Sequence, residues 1–120
     1  VVLYLAGETG NLVKNANVFV DVDLTLVDAG GRLLNGAREA LQQLRDEGCH
    51  LFLWSSVGAE YARRVAEQYE LTEFFEGFTA KPDIVIDDMP STAHAPFVYS
   101  ISSETSWQDL AAEIIERHID

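Results

Sequence analysis

Apolar residues in this chain arrive in short unbroken runs separated by stretches of helical period. Val18-Phe19-Val20, Leu51-Phe52-Leu53-Trp54 and Ile84-Val85-Ile86 are apolar at every position and rich in β-branched and aromatic side chains. Such runs predict strands buried on both faces, as in a parallel sheet; antiparallel sheets more often leave one face wet. Phe97–Ile101 predicts a fourth strand, Val1–Leu5 a weaker fifth, and Phe78-Thr79-Ala80 a short edge strand.

Between these runs the period changes. Ala37, Ala40, Leu41 and Leu44 recur at i, i+3, i+4 and i+7, which predicts a helix with Asn35 as its N-cap and Gly48 as its stop. A second helix is predicted from Ala59 to Glu70, with Ala62, Val65, Ala66 and Tyr69 on its apolar side. A third starts near Thr105, where Thr105-Ser106-Trp107-Gln108 has the form of a capping box; Trp107, Leu110, Ala111 and Ile114 are its expected buried side. Strands alternating with helices predict an α/β protein, a Rossmann-like αβα fold of three layers around a parallel sheet. The 120 residues contain no repeat, linker or low-complexity tract, so a single domain over residues 1–120 is expected, with the role of residues 1–17 left open.

Composition narrows the function classes. Hydrophobic residues make up 48% of the chain, enough for a core and too many for a disordered segment. Twenty acidic against eight basic residues leave a net charge of −12, and Arg63-Arg64 is the only adjacent basic pair. That balance argues against a nucleic-acid partner. No apolar run approaches the ~20 residues that span a bilayer, so no membrane partner is expected. The Val1–Ala6 run is short for a signal-peptide core and has no basic segment before it. Cys49 is the sole cysteine, which rules out an internal disulfide and fits a reducing compartment; a cytoplasmic location is expected.

The candidate chemistry lies where the apolar runs end. Val18–Val20 leads into Asp21-Val22-Asp23-Leu24-Thr25, Leu51–Trp54 into Ser55-Ser56, and Ile84–Ile86 into Asp87-Asp88. In parallel α/β folds ligands bind beyond the carboxyl ends of the strands, so three polar exits describe a site. Asp21 and Asp23, two apart, face the same way if the strand stays extended through them, and Asp87 is expected to join from another strand. Two carboxylates ~4 Å apart repel by about 4 kcal/mol at an effective dielectric near 20, so such a cluster needs a cation, a shared proton or a helix N-terminus. Carboxylates without a His/Cys cluster suit Mg²⁺ rather than zinc.

Asp21-Val22-Asp23-Leu24-Thr25 resembles the DxDxT signature of haloacid dehalogenase-type phosphatases. In the same order, Ser55 resembles that family's second motif, Lys81 its third, and Asp87-Asp88 its fourth, so the resemblance covers roughly Val18 to Asp88. It implies a Mg²⁺-dependent hydrolase of phosphate monoesters. Asp21 would be the nucleophile that forms an aspartyl-phosphate, and Asp23 the acid that protonates the leaving group and then activates water. Ser55 and Lys81 would hold the phosphoryl oxygens. Asp21, the backbone carbonyl of Asp23, and Asp87 would bind the metal, with Asp88 a ligand or a water-mediated partner. A carboxylate attacking an anionic phosphate needs its charge offset, and Mg²⁺ with Lys81 would do so.

Two positions depart from the family pattern. Leu24 stands where family phosphatases often carry glycine, so a slightly different turn is expected. Lys81 lies only six residues before Asp87, as in the most compact members. Neither Thr25–Leu34, which holds a hairpin turning at Asp28-Ala29-Gly30-Gly31, nor Leu71–Ala80 has room for a cap domain. A capless site suits a large phosphorylated substrate, or a small one if a second subunit of a homo-oligomer covers it. Three alternatives remain at this point: a protein of the same fold that binds without turnover, a phosphotransferase that passes the phosphoryl group to an acceptor other than water, and a receiver-like phosphoacceptor module. A receiver's acidic pair precedes its phosphoacceptor Asp, whereas here the DxD comes first. Cys49 and His50 read as structural, Phe74-Phe75-Phe78 as core or an oligomer contact, His94 and His118 as surface residues, Trp54 as core, and Arg32 and Arg38 as solvated.

Overall fold

The computed structural model describes residues 12–89 and 94–120 of the chain. The predicted strand Val1–Leu5 lies outside them. Over the described residues the protein is mixed α/β, with small parallel sheets and three α-helices. It divides into two compact units, Val1–Lys81 and Pro82–Asp120.

The first unit contains β1 (Asn17–Asp21), α1 (Ala37–Asp46), β2 (His50–Ser55), α2 (Ala59–Gln68), a 3₁₀ turn (Thr72–Phe74) and β3 (Phe75–Ala80). Its three strands pair in the order β1-β2-β3, all parallel, as expected for strands joined through helices. The edge strand predicted at Phe78–Ala80 begins earlier, at Phe75, because buried Phe75 extends the apolar pattern back to the 3₁₀ turn. Leu51 and Leu53 from β2 join Leu41 of α1, Ala62, Val65 and Ala66 of α2, and Leu71, Phe74 and Phe75 in one core. Complete burial of Leu51, Leu53 and Leu71 stabilises the unit by about 1.5–3 kcal/mol per side chain.

Burial on both faces is corrected for these strands. Along β2 the side chains alternate, with Leu51, Leu53 and Ser55 buried and Phe52 and Trp54 half-buried. Parallel register puts Phe19 beside Phe52 and Asp21 beside Trp54 on this second face. There Phe19 stacks on Phe52 with ring centroids 4.8 Å apart and tilts against Trp54 at 5.0 Å. The run is apolar throughout because rings shelter one another on the second face while helices cover the first. Gly77 makes room for this, since a Cβ there would meet Phe52 at 3.2 Å.

The helix ends follow capping chemistry, with three shifts from expectation. Gly36 (φ 82°), not Asn35, is the N-cap of α1, because the chain enters that helix through a left-handed turn that glycine adopts freely. Gly48 (φ 91°) does stop α1: its N–H donates to the Arg45 carbonyl, and that of Cys49 to Leu44, the Schellman pattern. The same pattern ends α2 at Gln68, short of the predicted Glu70, because Glu70 itself takes the left-handed position (φ 55°). Arg38, expected to be solvated, donates to the Tyr69 carbonyl and so ties α1 to the end of α2.

The second unit contains β4 (Ile84–Asp87), β5 (Phe97–Ser100) and α3 (Trp107–His118), with β4 and β5 parallel. The cap of α3 lies one residue later than predicted: Ser106 Oγ accepts from the Asp109 N–H, while Thr105 Oγ1 accepts from the Ser102 N–H. Of the expected buried side, Leu110 is buried and Ile114 half-buried, whereas Trp107 and Ala111 are exposed. In the last turn of α3, His118 shares a hydrogen bond with Tyr99 of β5 and packs on Phe97. His118 is therefore half-buried rather than a surface residue.

Leu53→Ala should destabilise the protein by about 2–5 kcal/mol, read as a lower midpoint in urea unfolding, because the closed core cannot collapse around the lost side chain.

Candidate active site

Three strands deliver their last residues to one edge of the first sheet. Asp21 ends β1 beside Trp54, and Ser55 ends β2 beside Ala80 of β3. The ladder continues one residue further, where the Lys81 N–H donates to the Ser55 carbonyl at 3.0 Å. Pro82 follows and favours an extended backbone at Lys81. Asp21, Trp54 and Thr79 are in register, so they share a face, and Lys81 is two residues beyond Thr79. Its side chain crosses Trp54, with Nζ 5.8 Å from the ring centroid, and reaches Asp21 Oδ1 at 2.9 Å. Trp54, read from the sequence as core, is thus the half-buried floor between the two charges.

Thr25 Oγ1 donates to the other carboxylate oxygen, Asp21 Oδ2, at 3.2 Å. Lys81 and Asp21 are about one third exposed, at 36% and 32%. An ion pair this open contributes roughly 0–1 kcal/mol to stability, so the fold does not depend on it. Its consequence is orientation: a carboxylate fixed at both oxygens and open to solvent.

Ser55 is buried, at 2% exposure. Its Oγ accepts from the Val57 N–H at 3.0 Å, and its carbonyl accepts from Gly58. The first contact uses the hydroxyl oxygen and leaves its proton to donate elsewhere. Gly58, at φ 138°, turns the chain from this loop into α2.

The extended geometry expected through Asp23 is not kept. The strand stops at Asp21, and the Val22 carbonyl gathers the N–H groups of Thr25, Leu26 and Val27 at 3.3, 3.0 and 3.1 Å. Burial of Val22, Leu26 and Val27 drives this coil, which turns Asp23 away from simple alternation with Asp21. The Asp23 carboxylate accepts instead from the Tyr61 hydroxyl of α2 at 2.6 Å. That bond, with burial and the negative charge of Asp23, raises the Tyr61 pKa above the ordinary tyrosine value, against a smaller opposing effect of Arg64. Leu24 lies in the left-handed region at φ 62°. A leucine here makes the turn that glycine would make, at a cost of about 1–2 kcal/mol, while its side chain stays 74% exposed. Beyond it the expected hairpin is present: Asp28 accepts from Gly30 and Arg32 through its carboxylate, and Val27 pairs with Leu33.

Asp87 and Asp88 belong to the second unit. Asp87 ends β4, and its Oδ1 accepts from the Met89 N–H at 2.8 Å. That N–H, then hydrogen bonds from Asp88, hold the Asp87 carboxyl below its ordinary pKa, with desolvation opposing. Asp88 is exposed.

The fit of a hard divalent ion rests on the donor set. Asp21 offers a partly exposed, oriented carboxylate, the oxygen ligand that Mg²⁺ prefers. Among the described residues no three His, Cys, Asp or Glu side chains gather into a metal site. An ion held at Asp21 would therefore have few protein ligands and several waters, which is the usual habit of Mg²⁺.

Comparison of the chain with protein-family models, with curated proteins and with solved structures finds no match. Among the described residues no helix is long and apolar enough to cross a membrane.

Of the residues that bear on this site, sequence reasoning missed Tyr61, and Thr25 beyond its place in the motif. Tyr61 flanks the apolar stripe of α2, and nothing in its spacing points to Asp23. Leu24→Gly should leave the loop in place and stabilise the protein by about 1 kcal/mol, measured by urea unfolding.

Proposed function

We propose that this chain is a Mg²⁺-dependent phosphatase that hydrolyses a phosphate monoester through an aspartyl-phosphate on Asp21. The observation that carries the proposal is the contact of the Lys81 ammonium with the Asp21 carboxylate at the strand edge where Ser55 also ends. A carboxylate with one cation beside it and solvent access is poised for an anionic electrophile. The order of Asp21, Asp23, Ser55, Lys81 and Asp87 along the chain, with its resemblance to haloacid dehalogenase-type phosphatases, supports the same proposal.

In the first step an Asp21 oxygen attacks phosphorus and the ester oxygen leaves with a proton from Asp23. In the second step Asp23 takes a proton from water, the water oxygen attacks phosphorus, and the bond to Asp21 breaks. Lys81 donates to the non-bridging phosphoryl oxygens in both steps; a phosphate-binding role for Ser55, whose side chain is buried on the face of β2 opposite Trp54, rests on the sequence order alone. Mg²⁺ bound at Asp21 and the Asp23 carbonyl would supply further neutralisation of the charge at phosphorus. A metal role for Asp87 and Asp88 rests on the sequence order alone. The three-layer Rossmann-like arrangement, the single capless domain and the cytoplasmic location belong to the same proposal. The substrate is a phosphorylated small molecule or macromolecule.

With 4-nitrophenyl phosphate and Mg²⁺ the protein should release phosphate, and EDTA should abolish release. Asp21→Asn should lower turnover by at least ~10³-fold, and Lys81→Ala should lower kcat/KM by about 10²–10³-fold. Mg²⁺ binding without turnover at high enzyme concentration would favour a silent binder. A long-lived acyl phosphate on an aspartate other than Asp21 would favour a receiver-like module.

A further inference from the structure

Tyr61 has no part in the mechanism above, although among the described residues its hydroxyl makes the one side-chain hydrogen bond to Asp23, at 2.6 Å. The tyrosine is placed to hold that group. It lies in the first turn of α2, the helix that follows the Ser55–Gly58 loop, and its ring is half-buried against the core of the first unit. Asp23, by contrast, is exposed and sits on a coil beyond the end of β1. An exposed aspartate on a coil samples several rotamers, and a general acid that wanders from its leaving group loses most of its effect. A ring anchored in packed helix and core supplies a fixed donor at the end of a rigid lever.

We infer that Tyr61 is a positioning residue for Asp23: its hydroxyl, carried on α2, fixes the Asp23 carboxyl in the orientation from which it serves the leaving-group oxygen. This rests on the phosphatase proposal above. Tyr61 acts through Asp23 and does not itself touch the substrate.

Tyr61→Phe removes the donor and keeps the ring in the core, so the variant should fold, and its thermal midpoint should stay within a few degrees of the parent. The discriminating readout is kcat/KM for two esters, because that ratio covers aspartyl-phosphate formation and excludes its hydrolysis. The leaving group of an alkyl phosphate needs a proton in the transition state, whereas 4-nitrophenolate is a weak base and needs little help. Tyr61→Phe should therefore lose on the order of tenfold on the alkyl ester and less than about twofold on 4-nitrophenyl phosphate. Asp23→Asn should show the same selectivity more strongly, and Tyr61→Phe should add little on top of it. Equal losses on both esters, or no loss on either, would overturn the assignment while leaving the phosphatase proposal standing. If the parent protein hydrolyses neither ester with Mg²⁺, the phosphatase proposal fails and the role of Tyr61 fails with it.

Discussion

Parallel pairing of β1, β2 and β3 in a fixed register is the constraint on which the candidate site depends. Strands that run the same way end at the same edge, and the polar residue after each apolar run arrives beside its neighbours. The register sets Asp21 against Trp54 and Ser55 against Ala80, and one more ladder bond holds Lys81 at the end of β2. A slip of one residue would turn Asp21 to the face of Leu51 and Leu53, where an unpaired carboxylate has no place. The core thus protects the register, and the register assembles the Lys81–Asp21 pair.

The two faces of that sheet do different things. On one, side chains from α1, α2 and β2 close into a core with Leu71, Phe74 and Phe75. On the other, aromatic rings of Phe19, Phe52 and Trp54 lean on one another, and Lys81 crosses the last of them to reach Asp21. The charged pair is open to water and adds little to stability. Strain at Leu24, on the coil that carries Asp23, is offset by the buried residues on either side of it, Val22, Leu26 and Val27. Such strain beside candidate chemistry is common in sites that need a particular backbone direction.

Much of this was legible in the chain itself. Apolar runs marked β1, β2, β4 and β5, and the 3.6-residue period marked α1 and α2, because buried faces leave their period in sequence. The stop at Gly48 was legible because a left-handed position selects glycine. The stop at Gln68 was not, because Glu70 takes the left-handed position beyond it, where tertiary packing of Leu71 overrides the local cost of a positive φ. The shift of the α1 cap from Asn35 to Gly36 has the same origin, since both residues are acceptable caps and the entry angle chooses. Trp107 was assigned to a buried side by spacing alone, but periodicity tells which residues share a side of a helix and not how much of that side is covered.

By itself the sequence determined which residues are polar at strand ends, their order, and that they alternate with helix-forming segments. Those are properties of composition and period, and they require no knowledge of neighbours. Tertiary structure decided which of the groups meet. Lys81 reaches Asp21 across β2 because the three strands are parallel and in register, and Tyr61 reaches Asp23 because α2 packs with its first turn beside the coil after β1. The chain separates Tyr61 from Asp23 by 38 positions, and only the folding of α2 onto the core brings the phenol to the carboxylate. Contacts of that kind carry no local pattern, because the energy that places them comes from burying other residues.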